Sequence, residues 1–495
     1  MENRAEAPRR LRSGLGAGEK GVRSFCAQHP TGRSGKRLLT PFSEIDAHPL
    51  IREYFAKQLR EKKPEAWRSA HRRLYEHLTS STKDKPEPTL DDLQPLYQAV
   101  VHGCQAGLHQ EACDEVYVER ILRGREFYST SKLGAFGAEL GAVACFFGQP
   151  WSRVSPALSE GNQAWLLNEA AFCLRALGRL TEALEPMRAA LKMGIAQGNW
   201  EAAAARASNL SELDLTLGRV PDALRDAEQS VTYADQSGDA FLRLVNRSRL
   251  ADALHQAGRR ADALARFREA EEMQAKRQPE YPLLYSLQGF QYCDLLLAEA
   301  ERAAGRCGAG VRPVSDHGQD ARATLITVCR EVERRVTQTL KWVTTQGWLL
   351  DIALDHLTLG RATLYQAALT DSKTEQAEAL QTARQDLSAA VDGLRRAGTM
   401  DHLPRGLLSR AWLRFVDADT DGARADLDDA SQIAERGAMR LFMADIHLHR
   451  ARLFHAAKPY PWKSPTDDLA EARKLIDECG YHRRDEELAD AEQAL

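Results

Sequence analysis

The tripeptides Leu177-Gly178-Arg179, Leu217-Gly218-Arg219 and Ala257-Gly258-Arg259 lie 40 residues apart along the chain. An alanine–leucine pair follows each of them at the same distance, as Ala183-Leu184, Ala223-Leu224 and Ala263-Leu264. Glycine tolerates the left-handed backbone conformation in which many helices end, and an acid or a proline fits the first turn of the helix that follows. The pattern therefore predicts three repeats of helix, tight turn and helix.

Small residues recur seven positions after these alanines, at Ala190 and Ala270, with Ser230 in the middle repeat. Small side chains on one helix face let the two helices of a hairpin approach closely. Larger apolar residues, among them Leu184 and Phe267, would lie against the neighbouring hairpin. One hairpin alone cannot bury this apolar face, so the hairpins must stack. We therefore predict an all-α protein built as an α-solenoid.

The spacing of Gly178, Ala183 and Ala190 resembles that of the tetratricopeptide (TPR) repeat. The chain departs from the family because its period exceeds the usual length of about 34 residues, which implies longer helices. The aromatic residue expected near the start of the first helix is also replaced, by Leu167, Ala207 and Arg247. The resemblance is strongest over residues 160–280. Weaker hairpins, about seven in all, are predicted at 283–302 with 321–343, 349–369 with 375–397, 404–416 with 422–436 and 439–455 with 466–477.

Charge and cysteine usage narrow the class of protein. The 495 residues include 67 Lys and Arg against 70 Asp and Glu, a net charge of −3 that argues against binding nucleic acid or a membrane. No apolar stretch has the length of about 18 residues that a spanning helix needs. The nine cysteines are odd in number and follow no pattern, which is typical of free thiols in a reducing cytoplasm. We therefore expect a cytoplasmic protein.

Residues 45–55, which read Ile-Asp-Ala-His-Pro-Leu-Ile-Arg-Glu-Tyr-Phe, give a second resemblance. They are similar to the end of the winged-helix segment of STAND-type signalling ATPases (NACHT or NB-ARC proteins). The amphipathic stretch 66–75 continues this likeness, and residues 90–147 resemble the helical connector of such proteins. The resemblance implies that the chain is a sensor arm and that its partner is a separately encoded ATPase.

This interpretation divides the chain into six parts. They are a disordered basic tail at 1–35, a winged-helix remnant at 36–80, a helical connector at 81–150, TPR-like repeats at 151–303, an inserted loop at 304–320, and further repeats with a C-terminal cap at 321–495. The tail is basic because residues 1–40 carry nine Lys and Arg against three acids. No Gly-x-x-x-x-Gly-Lys-Ser/Thr loop occurs in the sequence, so we expect no nucleotide cofactor and place the nucleotide-binding domain outside this chain.

Two groups of residues have side chains of the kinds that bind metal ions. Residues 417–422, Asp-Ala-Asp-Thr-Asp-Gly, match the opening of an EF-hand calcium loop, but they fit a hairpin turn with Asp421 capping the second helix better. The second group has side chains of the kinds that bind zinc, but their spacing matches no common zinc pattern. Its members are His102, Cys104, His109 and Cys113. No catalytic motif with a sequence-local base occurs. We predict neither a metal site nor an enzyme, and a cryptic metal-dependent enzyme is the third hypothesis.

The candidate binding surface is the concave face that stacked hairpins line with their first helices. The TPR register places eight residues on that face: Trp165, Asn168, Arg175, Ser208, Glu212, Ser248, Asp252 and His255. Such side chains hold a peptide by hydrogen bonds to its backbone and by an aromatic anchor. The alternative is that they form solvated helix faces. We predict a non-catalytic module that recognises a protein, a peptide or another ligand, with a free-standing TPR scaffold for complex assembly as the second hypothesis.

Overall fold

The computed structural model describes residues 49–308 and 319–495. The predicted basic tail, the first part of the winged-helix remnant and residues 309–318 of the inserted loop lie outside the described residues. The chain divides into two compact units. In the described part, the N-terminal unit comprises residues 49–125 and 155–162, and the C-terminal unit comprises residues 126–154 and 163–495.

The N-terminal unit is helical. Its elements are α1 (Pro49–Lys62), α2 (Pro64–Ser81), α3 (Leu90–Ala106), the short α4 (His109–Glu111), a π-helix (Ala112–Leu122) and a 3₁₀ turn (Gly124–Glu126) that runs one residue past the unit's end. The side chain of Thr89 accepts a hydrogen bond from the Asp92 backbone at the start of α3, and the Asp92 carboxylate accepts one from the Thr89 backbone. Only α1 and α2 represent the predicted winged-helix remnant, so that assignment stays a prediction.

The C-terminal unit is an all-α solenoid of helical hairpins. It opens with α5 (Tyr128–Ser131), α6 (Phe136–Ala144) and a small antiparallel pair of strands, β1 (Phe147–Gln149) and β2 (Arg153–Val154). The hairpins are α7 (Glu160–Ala176, which starts in the other unit) with α8 (Leu180–Ala196), α9 (Trp200–Thr216) with α10 (Val220–Ser237), α11 (Ala240–Gln256) with α12 (Arg260–Arg277), α13 (Ser286–Gly308) with α14 (Gln319–Gln346), α15 (Leu349–Leu369) with α16 (Lys373–Ala397), α17 (Leu403–Val416) with α18 (Thr420–Gly437), and α19 (Arg440–Phe454) with α20 (Pro465–Cys479). A 3₁₀ turn (His482–Arg484) and α21 (Asp485–Ala494) form the C-terminal end.

The repeated glycines end helices as predicted. Gly178, Gly218 and Gly258 have φ angles of 76°, 78° and 77°, in the left-handed region. At the first turn, the backbone N–H of Gly178 donates to the carbonyl of Arg175 at 2.9 Å, and that of Arg179 donates to Leu174 at 2.8 Å. The paired alanines of these hairpins are fully buried, which confirms that small side chains lie where the helices approach.

The turns also contact hairpins much later in the chain. A Cβ added to Gly178 would lie 3.4 Å from Met400 Cβ, one on Gly218 would lie 2.6 Å from Arg440 Cβ, and one on Gly258 would lie 3.0 Å from His482 Cβ. The three contacted residues are themselves spaced by about 40 residues, the repeat length. The first three hairpins therefore stack in register against the last hairpins of the same unit. The inner helices face one another, and the open groove expected from the sequence is filled by side chains.

None of the helices within residues 49–308 and 319–495 combines the length and the apolar character needed to cross a lipid bilayer.

Candidate functional site

Charged side chains from the inner helices of the C-terminal unit meet in its interior. Glu212 on α9 accepts hydrogen bonds from Arg175 on α7 at 2.5 Å and from Arg249 on α11 at 2.9 Å. Arg175 also lies 3.2 Å from the carboxylate of Asp401, just before α17. The side chain of Arg249 is only 1% exposed and that of Glu212 is 10% exposed. One carboxylate thus holds two buried guanidinium groups from neighbouring hairpins.

A second part of the network connects α13, α15 and the C-terminal end. Arg361 on α15 donates to Asp294 at 2.7 Å and to Glu301 at 3.0 Å, both on α13. Arg483 donates to the same two carboxylates, at 3.1 and 3.2 Å. Residues far apart in sequence are therefore held together by shared carboxylates in the interior.

The adjacent Arg484 extends the network to α19. It donates to Asp445 at 2.8 Å and to Glu301 at 3.1 Å, and the hydroxyl of Tyr481 lies 3.2 Å from Asp445. Charge-assisted bonds of this kind are the strongest hydrogen bonds in proteins. The last turn before α21 is thereby fixed against the inner helices.

Neighbouring arginines keep Glu212 and Asp294 ionised although both carboxylates are buried. Burial alone would raise the pKa of Glu212, but the charges of Arg175 and Arg249 outweigh it and hold that pKa below its usual range. The pKa of Asp294 is likewise lowered, because Arg483 and Arg361 more than offset its burial. These two carboxylates therefore form ion pairs at neutral pH.

A cavity of about 70 Å³ lies within this network. Its walls combine charged, polar and aromatic side chains from α9, α11, α13, α15, α17 and α19. The wall includes Glu212, Asp252, Phe290, Gln291, His402, Arg405, Ser409, Trp412 and Phe442. A cavity of this size admits a few water molecules or a small organic molecule. The arrangement can bind a small polar ligand through several convergent groups.

Arg405 lines this cavity next to aromatic rings instead of carboxylates. Its guanidinium carbon lies 5.5 Å from the ring centroid of Phe290 and 5.3 Å from that of Phe442, so the cation interacts with two aromatic rings. Among the described residues, no carboxylate oxygen lies within 4.0 Å of it. By contrast, the other arginines named above each contact at least one carboxylate.

The structure brings together some of the predicted binding residues. Arg175 and Glu212 form a direct ion pair, and Glu212 and Asp252 both line the cavity. Asp252 accepts hydrogen bonds from Gln256 at 2.8 Å and from Gln291 at 2.9 Å. Burial raises the pKa of Asp252.

The remaining predicted residues lie outside the cavity wall. Trp165, Asn168, Ser208, Ser248 and His255 are all buried. Asn168 accepts a hydrogen bond from Asn209 at 3.3 Å, the hydroxyl of Ser248 bonds to the backbone of its own helix, and His255 lies 3.9 Å from Asp294. None of the eight residues forms part of a solvated surface, and their role in partner binding stays a prediction.

Sequence reasoning missed the contributors from the later hairpins. Asp294, Glu301, Arg361, Arg405 and Arg483 all lie beyond residue 280, where the TPR register is no longer legible. A signal was present in the sequence, because Asp294 interrupts an apolar run in the middle of a helix at residues 292–297. Charge at such a position indicates an interior partner.

The side chains of the two candidate metal sites interact with other protein groups. Asp417 receives two hydrogen bonds from Arg384, at 2.7 and 2.6 Å. The cap of α18 is Asp419, whose carboxylate accepts from the Gly422 backbone at 3.0 Å, so the expectation that Asp421 caps this helix was wrong. The loop is thus a hairpin turn in which the first acid pairs with a guanidinium.

The candidate zinc ligands of the N-terminal unit contact different partners. His102 Nδ1 lies 2.8 Å from His71 Nδ1, and burial lowers the pKa of both rings. Cys113 is buried, which raises the pKa of its thiol, and Asn162 lies 3.6 Å from its sulfur. Within the described residues, no group of three or more His, Cys, Asp or Glu side chains is arranged to hold a metal ion.

Comparisons with known proteins assign no family to the chain. No protein-family model matches the chain, and no curated protein matches it. A solved structure described as a circular tandem repeat protein with novel repeat topology and enhanced subunit contact surfaces is similar at 14% identity, over 90% of this chain and 94% of that chain, with a TM-score of 0.22. A TM-score this low supports no argument, so the fold assignment rests on the helices described above.

Proposed function

We propose that this chain is a non-catalytic recognition module, TPR-like in its repeats, in which the interior of the C-terminal unit receives a ligand. We further propose that it is the sensor arm of a STAND-type signalling ATPase encoded elsewhere. The 40-residue helical period and the likeness of residues 45–55 to a winged-helix end support this reading.

The observation that carries the proposal is the ring of buried charge around a cavity. A buried ion pair is a poor way to stabilise a protein, since well-packed apolar residues of similar volume do as well or better. Here several ion pairs surround a space lined by Asp252, Arg405 and Trp412 rather than a packed core. Convergent polar groups in a partly aromatic cavity are typical of ligand sites.

A ligand screen on a cavity-filling variant tests this function. Ser409 lines the cavity from α17, and Ser409→Phe would occupy its space, whereas Val416→Phe adds the same ring at an exposed position of that helix. Melting temperatures are measured with a panel of small metabolites. A ligand at 100 times its Kd stabilises by about 2.7 kcal/mol. We expect such a ligand for the parent chain and for Val416→Phe but not for Ser409→Phe.

The opposite results would contradict the proposal. If no compound stabilises the parent chain, or if Ser409→Phe responds as the parent does, the cavity is not a recognition site. Circular dichroism of each variant shows whether the helices form.

The N-terminal unit favours the second candidate, a scaffold that docks a protein partner. Leu50, Tyr54 and Phe55 of α1 are exposed by 69%, 60% and 63%, and apolar side chains grouped in this way mark interaction surfaces. The neighbouring upstream reading frame distinguishes the candidates. A nucleotide-binding domain there supports the sensor, and an unrelated protein there supports the scaffold.

A further inference from the structure

We propose that the cavity binds a small carboxylic acid, with Arg405 as the residue that pairs with its carboxylate. This inference rests on the proposed ligand-recognition function and names the chemistry of the ligand.

The first argument is the charge pattern of the cavity wall. Glu212, Asp294, Glu301 and Asp445 each contact at least one arginine, and Asp401 contacts Arg175. Asp252 is bonded by two glutamines and lies 3.9 Å from Arg249; burial raises its pKa, and the charge of Arg405 acts against that rise from beyond ion-pair distance. Arg405 alone among the arginines of the wall lacks a carboxylate within 4.0 Å in the described part of the chain. An added anion would therefore complete the pairing of Arg405 without displacing an existing ion pair.

The surroundings of the guanidinium favour a planar anion. The ring centroids of Phe290 and Phe442 lie 5.5 and 5.3 Å from its carbon. The Nε atom of Arg405 is buried and unbonded within the described residues. A guanidinium presents paired N–H donors along its edge, and a carboxylate matches that spacing with two parallel hydrogen bonds. The unbonded Nε and the two aromatic neighbours thus suit Arg405 to a planar anion.

A third, independent observation comes from His402. This side chain lines the same cavity, is 7% exposed, and neither of its ring nitrogens has a hydrogen-bond partner among the described residues. It also lies at the start of α17, where the backbone carries partial positive charge. A buried unpartnered polar group costs free energy, which a ligand oxygen at hydrogen-bonding distance would recover.

The cavity volume limits the size of the acid. About 70 Å³ accommodates a molecule of a few heavy atoms, such as acetate. Trp412 and Phe290 supply apolar surface for a short alkyl group. The structure therefore assigns a site for a short monocarboxylate.

Equilibrium dialysis with radiolabelled acetate tests the assignment in the full chain. We expect one acetate per chain, displaced by unlabelled acetate but not by its neutral analogue acetamide. Arg405→Met keeps an unbranched side chain beside the two rings but removes the charge, and it should weaken binding at least tenfold. Arg410→Met is the matched control on the same helix, because Arg410 pairs with Asp426 and does not line the cavity.

Three outcomes would overturn the assignment: no acetate bound, acetamide competing as well as acetate, or unchanged binding in Arg405→Met. If Arg405→Met does not fold, Arg405→Lys decides the matter. An ammonium lacks the paired donors, so Arg405→Lys should bind acetate several-fold more weakly, and unchanged affinity would refute the pairing. If acetate fails while another compound stabilises the chain and loses its effect in Ser409→Phe, the ligand class is wrong and the recognition function stands.

Discussion

The two units of this chain place charge and apolar surface in opposite ways. In the N-terminal unit, α1 exposes large apolar side chains such as Leu50 and Phe55. In the C-terminal unit, charged side chains such as Glu212 and Arg249 are buried. Both arrangements work against stability, the first by leaving apolar area in water and the second by desolvating ions. Each region is therefore a candidate for the binding proposed above.

The largest effect on stability is expected from removing a buried carboxylate in the C-terminal unit. Glu212→Ala would remove the carboxylate that Arg175 and Arg249 share, leaving Arg175 with Asp401 at 3.2 Å and Arg249 with Asp252 at 3.9 Å. Loss of one partner from a buried pair costs about 3–5 kcal/mol of unfolding free energy. Glu299→Ala is the control, because Glu299 forms an exposed ion pair with Arg260 and should change stability by about 0.5 kcal/mol or less. Urea denaturation measures both. Equal losses would mean that the buried pairs do not support the fold.

The next effect concerns the stacking of turns on later hairpins. Gly218→Ala must place a Cβ 2.6 Å from Arg440 Cβ and from Cys479 Sγ, at a φ of 78°. Gly198→Ala meets only the backbone strain, with a φ of 64° and open space around the added carbon. Strain costs about 1–2 kcal/mol in both, and the overpacking adds about 1–3 kcal/mol to Gly218→Ala alone. A denaturation midpoint that is the same for the two variants would show that the turns do not pack as described.

A smaller, pH-dependent effect is expected at Asp214 on α9. Burial, together with the charge of Asp226 on α10, raises the pKa of Asp214 to about 7. Because this value exceeds the ordinary one of 3.8, the folded state binds a proton more tightly than the unfolded state, and stability falls as the pH rises from about 4 to 7.

Asp214→Asn removes that dependence. The variant should therefore gain on the order of 1–2 kcal/mol relative to the parent chain when the pH is raised from 5 to 8. Thermal unfolding at the two pH values measures this. Asp222→Asn, an exposed acid at the start of α10, serves as the control. A stability difference between variant and parent that does not change with pH would contradict the assigned pKa.

The smallest effect is expected in the N-terminal unit. Phe55→Gln on α1 replaces a side chain that is already largely exposed, so the unfolding free energy should change by less than about 0.5 kcal/mol. The matched change in the other unit, Phe290→Gln, removes a fully buried ring and should cost several kcal/mol. A large loss at Phe55 would mean that α1 packs against a surface outside the described residues.

The sequence predicts the helices of the repeats but not the ion pairs of the interior. The helix predicted at 349–369 is observed as Leu349–Leu369, and the one predicted at 404–416 as Leu403–Val416, because capping residues and periodic apolar positions act over short distances. By contrast, the pairing of Arg483 with Asp294 joins residues on the last turn and on α13. It depends on how far each hairpin rotates against the next, and a small error in that angle accumulates over many repeats. The eight predicted residues therefore include Glu212 and Asp252 but not Arg405.

Because the turns at Gly178, Gly218 and Gly258 rest on residues near 400, 440 and 482, the number of hairpins between them is fixed. An open array can gain or lose a hairpin by duplication or deletion, since each repeat meets only its immediate neighbours. Here the loss of one hairpin would shift every one of these contacts at once. Evolution of this unit should therefore proceed by changing side chains and loop lengths at a constant hairpin number, and its melting should be a single concerted event instead of fraying from one end.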